Sequence, residues 1–407
     1  MNAFIMTILS FVMSIISTIS MTFTPVTEEI IKSNYDYAKS FDKVVYENQL
    51  VPELDEDGCW TFTTDGDFKI VQLTDVHIGG GSLSKEKDKR AMNAVAAMIT
   101  AEKPDLVVIT GDMAYPVPFQ AGTFNNSLST QMLIDLLEQL GVYYAVVFGN
   151  HDAEFYGTHD REQIADLWGA EDLQYSLFQK GPEDVDGFGN YIIKVKGTDG
   201  KVKNAFFMID SHDYTDGDVL GVLWKYDNIH ENQIAWYKAN VEAIDAANND
   251  GDEIFTSLAF FHIPLEEYGI AWNEYAANGY QNTENVIYKG GYFNEDGEKS
   301  YSGIYPEQMF ETMLELGSTK ATFCGHDHIN NAILEYKGIN LVYGMSIDYL
   351  AYTDLNDKGA QRGCTVIELG ADGDLESISL ENYYQDKYPS KYEKENVNMQ
   401  WDTGIYG

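Results

Sequence analysis

Apolar positions along the chain recur with two alternating periods. Residues 68–73, Phe-Lys-Ile-Val-Gln-Leu, form a short run rich in β-branched side chains, the pattern of a buried strand. Residues 85–102 place Ala91, Met92, Val95, Ala96, Met98 and Ile99 on one side, the repeat of an amphipathic helix. A strand over 105–110, a helix over 130–140 closed by Gly141 and a strand over 143–148 follow. This β-α-β-α-β opening predicts a parallel sheet with right-handed crossovers. The second half has more antiparallel character. Strands are expected over 191–195 and 205–210, a helix over 231–248, a strand over 254–261, a helix over 306–316 and a strand over 320–324. Strands over 332–336, 339–343 and 365–369 are expected in a second sheet. Nothing inside residues 60–383 reads as a boundary, so one domain is predicted there. A short strand at 59–62 opens it, a polar linker over 26–59 precedes it, and a tail or packed extension over 384–407 follows it.

The N-terminus changes the picture of location. No charged residue occurs from 3 to 27, and residues 4–23 are largely apolar, close to the ~20 residues that span a bilayer. Small residues at Ser17, Thr18 and Ser20 offer a cleavage site. Residues 1–25 are therefore expected to be a signal peptide or a retained signal anchor. A secreted or cell-surface protein follows, touching membrane only if the segment is retained.

Composition narrows the partners. The chain of 407 residues is 44% hydrophobic and 13% aromatic, which suits a folded globule, and carries 65 acidic against 26 basic residues for a net charge of −39. That balance excludes a nucleic-acid partner, since no basic surface is available to neutralise phosphates. Any phosphate chemistry would need local positive charge, which bound metal cations supply. Cys59, Cys324 and Cys364 are too few and scattered for a disulfide framework; buried or half-buried thiols are expected, with a single disulfide left open.

The candidate chemistry lies at strand ends. The predicted strands run into Asp75-Val76-His77, Gly111-Asp112, Gly149-Asn150-His151-Asp152, His262 and Gly325-His326-Asp327-His328. Five of the eight histidines fall in these clusters. In open α/β sheets, ligands gather beyond the carboxyl ends of strands, so five such loops would converge. Imidazole and carboxylate donors together suit Mn, Fe or Zn and not Ca. Asp112 is placed to give one oxygen to each of two ions, and the glycines before Asp112, Asn150 and His326 permit close backbone approach.

The series Asp-x-His, Gly-Asp, Gly-Asn-His-Asp, lone His and Gly-His-x-His, over about residues 66–370, resembles the calcineurin-like metallophosphoesterases. Residues 231–236 and 260–264 are similar to the branch near the purple-acid-phosphatase-like enzymes. The resemblance implies an α/β, four-layer αββα sandwich of two facing mixed β-sheets flanked by helices. It also implies two divalent or mixed-valence metal ions (Mn, Fe or Zn), one held by Asp75, His77, Asp112 and His328, the other by Asp112, Asn150, His262 and His326. His151 would be the catalytic group at the leaving-group oxygen, with Asp152 aiding its placement. Gly111-Asp112-Met113-Ala114-Tyr115 also fits the Gly-Asp-x-x-Tyr of true purple acid phosphatases, whose tyrosine binds ferric iron. Those enzymes have glycine where this chain has His77, so His77 is expected as the ligand and Tyr115 as a packing neighbour.

The function expected is hydrolysis of a small phosphomonoester by hydroxide formed between two cations, with His151 as general acid. A phosphodiesterase acting on nucleotides or phospholipid head groups is the alternative, and a non-catalytic interaction module retaining the fold is the reading of another class. Asp210-Ser211-His212 follows a strand and could approach the site, and Asn125-Asn126-Ser127 fits an N-glycosylation acceptor.

Overall fold

The computed structural model describes residues 27–218, 221–248, 254–353, 355, 360–397 and 405–406. The signal segment expected over 1–25 lies outside them. Among the described residues no helix is long and apolar enough to cross a membrane.

The strands, in chain order, are β1 (Glu53–Leu54), β2 (Trp60–Thr63), β3 (Phe68–Leu73), β4 (Leu106–Thr110), β5 (Tyr144–Val147), β6 (Tyr191–Lys196), β7 (Val202–Met208), β8 (Thr256–Phe260), β9 (Val286–Tyr292), β10 (Thr319–Cys324), β11 (Asn331–Tyr336), β12 (Ile339–Tyr343), β13 (Gly363–Leu369), β14 (Leu375–Asn382) and β15 (Ile405–Tyr406). They form two mixed sheets, ordered β1-β2-β6-β7-β8-β10-β12-β11-β9 and β15-β14-β13-β3-β4-β5. The helices are α1 (Glu28–Ala38), α2 (Lys85–Glu102), α3 (Pro118–Ala121), α4 (Asn126–Leu140), α5 (Arg161–Trp168), α6 (Glu231–Asn248), α7 (Glu266–Ala277) and α8 (Met309–Leu316).

The four layers follow from strand periodicity. Phe206 and Phe207 on β7, and Leu258 and Ala259 on β8, point alternately to two cores, as a period of two demands. Phe206 and Leu258 join Phe68, Ile70 and Val108 between the sheets, with Phe68 5.7 Å from Phe206 and Phe260 stacked on Phe323 at 4.9 Å. Phe207 and Ala259 meet Tyr237 and Val241 of α6, Tyr268 and Trp272 of α7 and Phe310 of α8 on the outer face. On the far side, α2 covers β3 and β13, and α4 packs beside it. The inner strands β4 and β8 and the edge strand β5 are buried at every position, as strands covered on both faces should be. The expected pairing β3-β4-β5 is parallel.

Three expectations change. Residues 363–369 do not join β11 and β12; as β13 they return antiparallel to β3 in the six-stranded sheet. Helix α4 begins at Asn126, where Asn125 caps it by accepting from the Leu128 amide, so the side chain of that glycosylation motif is engaged in the cap. The polar stretch 26–59 is not a free connector: α1 docks on α4, and Phe41 and Val44 enter the main core. Its polarity is that of a helix with only Asn34 and Ala38 buried. Of residues 384–407, those described through 397 pack on the domain, with Tyr388 in the core. All three cysteines are free thiols, Cys324 and Cys364 buried and Cys59 partly so.

Candidate metal centre

The loops after β3, β4 and β5 of one sheet and after β8 and β10 of the other meet at a shared rim. Backbone hydrogen bonds join them: Asp75 N to Gly111 O at 3.1 Å, His77 N to Asp112 O at 3.0 Å and Gly325 N to His262 O at 3.1 Å. His326 N donates across the seam to Asp75 Oδ1 at 3.2 Å.

The backbone here is bent hard. Asp75, His77, Asp112 and His326 have φ of 49°, 52°, 50° and 74°, in the left-handed region that non-glycine residues avoid. Each such residue costs about 1–3 kcal/mol and persists only where surrounding structure holds it. The bends turn side chains from three of the five loops towards one point. Close approach does the rest: a Cβ on Gly111 would stand 2.5 Å from His262 Nδ1, and one on Gly325 would collide with Thr74 Oγ1.

All seven expected ligands are brought together. Donor atoms of Asp75, His77, Asp112 and His328 lie within 4.8 Å of one another, all four residues buried. Asp112 Oδ2 stands 3.2 Å from His77 Nε2 and 3.3 Å from His262 Nε2, and His328 Nε2 is 3.4 Å from Asp75 Oδ1. His262 Nε2 further faces Asn150 Oδ1 at 3.2 Å and His326 Nδ1 at 3.3 Å.

Hydrogen-bond chemistry makes this set fit a cation. His262 Nδ1 sits 2.8 Å from the Thr110 carbonyl, which can only accept, so that nitrogen carries the proton and Nε2 holds a lone pair. Asn150 donates its amide nitrogen to Tyr214 Oη at 3.0 Å, leaving its oxygen towards His262. Nε2 is thus ringed by a carboxylate oxygen, an amide oxygen and a second imidazole nitrogen. The lone pairs of His262 Nε2, the Asp112 oxygen and the Asn150 oxygen face one another and are repulsive unless positive charge lies among them. The field attracts such charge: burial disfavours a proton on His262, yet Asp112 raises its pKa to about 9. His326 behaves oppositely, held well below 6.5 by burial and by the neighbouring His262.

Asp348, which no motif marked, braces one half of the cluster. Its Oδ2 lies 3.1 Å from His328 Nδ1 and its Oδ1 3.5 Å from His77 Nδ1. The amides of Leu350, Ala351 and Tyr352 donate to it at 2.7, 2.8 and 2.6 Å. Hydrogen-bonded to His328 Nδ1 and in ion-pair range of His77 Nδ1, it favours both Nε2 atoms facing inward, the usual arrangement of a carboxylate behind a ligating histidine.

His151 lines the cavity beside Asp112, partly exposed, with Nδ1 2.8 Å from Glu154 Oε1. Burial opposes its charge, but Asp112 and the Glu154 hydrogen bond outweigh that and raise its pKa above 6.5. Asp152 was expected to place this ring and does not. Its two oxygens accept the amides of Asp112, Met113, Ala114 and Gly149 at 3.1, 2.8, 2.9 and 2.8 Å, clamping two site loops together. Glu154, three residues from His151, takes the expected place.

Tyr115 lays its ring on His77, centroids 4.7 Å apart and nearly parallel, as a packing neighbour. Asp210 approaches the site only through Arg161, which bonds it at 2.5 Å and donates to the Gly149 carbonyl at 3.2 Å. Ser211 Oγ accepts from the His262 and Ile263 amides at 3.2 and 2.9 Å, while His212 turns away to Gln233 at 2.8 Å.

Comparison with known proteins agrees with this geometry. Residues 68–330 match the family described as calcineurin-like phosphoesterase. The plant protein named Probable inactive purple acid phosphatase 29, from Arabidopsis thaliana, is 29% identical over 315 residues, covering 72% of this chain and 74% of that protein. Phosphatase DCR2 of Saccharomyces cerevisiae is 31% identical over 297 residues, 67% of this chain and 46% of its own length. The crystal structure of a dimetal phosphatase from Danio rerio aligns with 78% of this chain and 97% of its own at a TM-score of 0.45 and 12% identity. With the family pattern spanning most of the described domain and its donors gathered at one rim, this chain belongs to the calcineurin-like phosphoesterases.

Proposed function

We propose that the chain hydrolyses small phosphomonoesters with a dinuclear metal centre. One observation carries the reading: Asp112 Oδ2 faces two separate donor groups, through His77 at 3.2 Å and His262 at 3.3 Å. Asp75, His77, Asp112 and His328 would hold one cation, and Asp112, Asn150, His262 and His326 the other. Two cations so placed lower the pKa of water and neutralise charge on a phosphoryl group.

The chain's own residues supply the rest. Overall, water and a phosphomonoester give an alcohol and inorganic phosphate; the bond broken is that between phosphorus and the alcohol oxygen. His151 delivers a proton from Nε2 to that oxygen as it leaves, and the proton lost by water restores the ring. Glu154 holds Nδ1, fixing the ring and favouring its charged form. Asp152 and Arg161 keep the Asp112 and Asn150 loops in register. The plant relative's name calls that protein inactive; here every expected donor is present and inward-facing. The adjoining cavity is about 180 Å³, below the roughly 300–1,000 Å³ of sites for drug-sized ligands, which favours a small ester over a nucleotide diester.

The test is a chelator-stripped preparation assayed with p-nitrophenyl phosphate and its bis ester after addition of Mn, Zn, Fe or Mg. The expected result is no turnover when stripped, recovery with a first-row transition metal, and a monoester preference. Absence of turnover with every metal contradicts the proposal.

A further inference from the structure

The cavity beside the metal centre has an unusual second wall. Four aromatic side chains, Trp224, Tyr226, Tyr301 and Tyr352, line it with the carboxylates of Glu295 and Asp296. No lysine or arginine is among the described lining residues. The rings are seated on the metal-side histidines: Tyr226 meets His326 edge-on at 4.2 Å and Tyr352 lies 4.4 Å from His328. Tyr352 Oη donates to Glu295 at 3.2 Å and Tyr301 Oη to Asp296 at 2.6 Å, so each carboxylate is tied to a ring.

Two of these residues stand against solvation and backbone preference. Trp224 is 61% exposed although large and apolar, and its φ is 52°. Asp296, on the facing segment, has φ of 41°. Trp224 nevertheless contacts Tyr301 edge-on at 6.5 Å, closing the bowl. Residues held in this way persist only where surrounding structure over-determines them, and they cluster at ligand sites.

Resting on the phosphoesterase reading, we propose that this bowl binds a substituted ammonium group on the alcohol part of the substrate, making the chain selective for amino-alcohol phosphates of the phosphocholine type. Aromatic faces and anionic carboxylates both attract such a cation, and quaternary ammonium ions are bound this way in aromatic cages. A second phosphate or a carboxylate would meet only negative charge there. A neutral aromatic leaving group would suit the rings but gains nothing from Glu295 and Asp296. The small volume leaves room for a head group beside a phosphate and excludes an extended chain.

The direct test compares phosphocholine with 3,3-dimethylbutyl phosphate, which has the same shape with carbon in place of nitrogen. The metal-loaded protein should favour phosphocholine in kcat/KM roughly tenfold, within the range of a desolvated cation–π contact. D296N and W224L should each cut that ratio severalfold. Equal rates for the two esters, or a preference for phenyl phosphate over phosphocholine, overturn the inference and leave the phosphoesterase reading standing. If no ester, including p-nitrophenyl phosphate, is turned over, that reading fails. Calorimetric titration with tetramethylammonium then decides the bowl alone: saturable binding lost in D296N supports it, and no binding overturns it.

Discussion

At the scale of single residues, the proposed reaction separates groups that would touch the substrate from groups that hold them. His151→Ala should keep its metal content, since the ring is outside both donor sets. It should slow esters of poor leaving groups by ~10²–10⁴ and those of good ones far less. Equal slowing for p-nitrophenyl and alkyl phosphates would remove the acid role. Asp348→Asn should weaken metal binding by roughly 10–100-fold, because it frees the Nδ1 sides of His77 and His328. Competition against a chelator measures this, and unchanged affinity contradicts the bracing role. The seven residues that the rim gathers are legible in the sequence because each sits in a short motif at a strand end. Asp348 and Glu154 are not, since a bracing carboxylate needs only position in space. Adjacency suggests a partnership of Asp152 with His151, while its oxygens take three amides of the neighbouring loop and one of its own.

At the scale of elements, loops are held by specific clamps. Asp152 accepts four backbone amides across two loops. Asp152→Ala leaves those donors buried without a partner, at ~1–3 kcal/mol for each one left unsatisfied. A lowered denaturation midpoint, with a larger drop than for a surface aspartate such as Asp199→Ala, is expected. A second clamp closes the excursion that carries Tyr214, Trp224 and Tyr226. Its stem pairs Thr215 N with Lys225 O at 2.9 Å and Asp227 N with Asp213 O at 3.0 Å. At its base His230 sits between Asp227 at 3.3 Å and Asp186 at 2.8 Å, with His212 stacked 4.1 Å away. The hydrogen bond to Asp227, then that to Asp186, overcomes partial burial and raises the His230 pKa to about 9. The folded state therefore binds this proton more tightly than the unfolded chain does. The stabilisation is complete below ~6.5 and is lost as pH rises through about 9. The ring is 34% exposed, so salt screens part of the effect. Melting curves of the wild type and His230→Asn should differ most near pH 6 and converge above pH 9. A constant difference across that range contradicts the assignment.

The elements legible in the sequence were those with strong local period, such as α2 and α6, found over the residues expected. Edge elements were harder. Strand β9 carries two adjacent glycines and buries only Val286 and Gly290, so no alternation announces it. Helix α7 does carry a signal, Glu267, Tyr268, Ala271 and Trp272 at helical spacing, although no cap residue marks its start. The placement of β13 beside β3 joins residues nearly three hundred positions apart, which no local pattern encodes.

At the scale of the whole molecule, a chain of net charge −39 gathers lone pairs at one rim where two sheets meet. On the proposed reading, cations at the rim would offset that charge where a phosphoester binds. The architecture serves that end, because loops from both sheets supply donors to the same aspartate. The account therefore stands on the number of cations the rim accepts. Calorimetric titration of the chelator-stripped protein with Mn or Zn should give two equivalents per chain, with Asp112→Ala failing to reach two. Saturation at one equivalent or none in the wild type would contradict it.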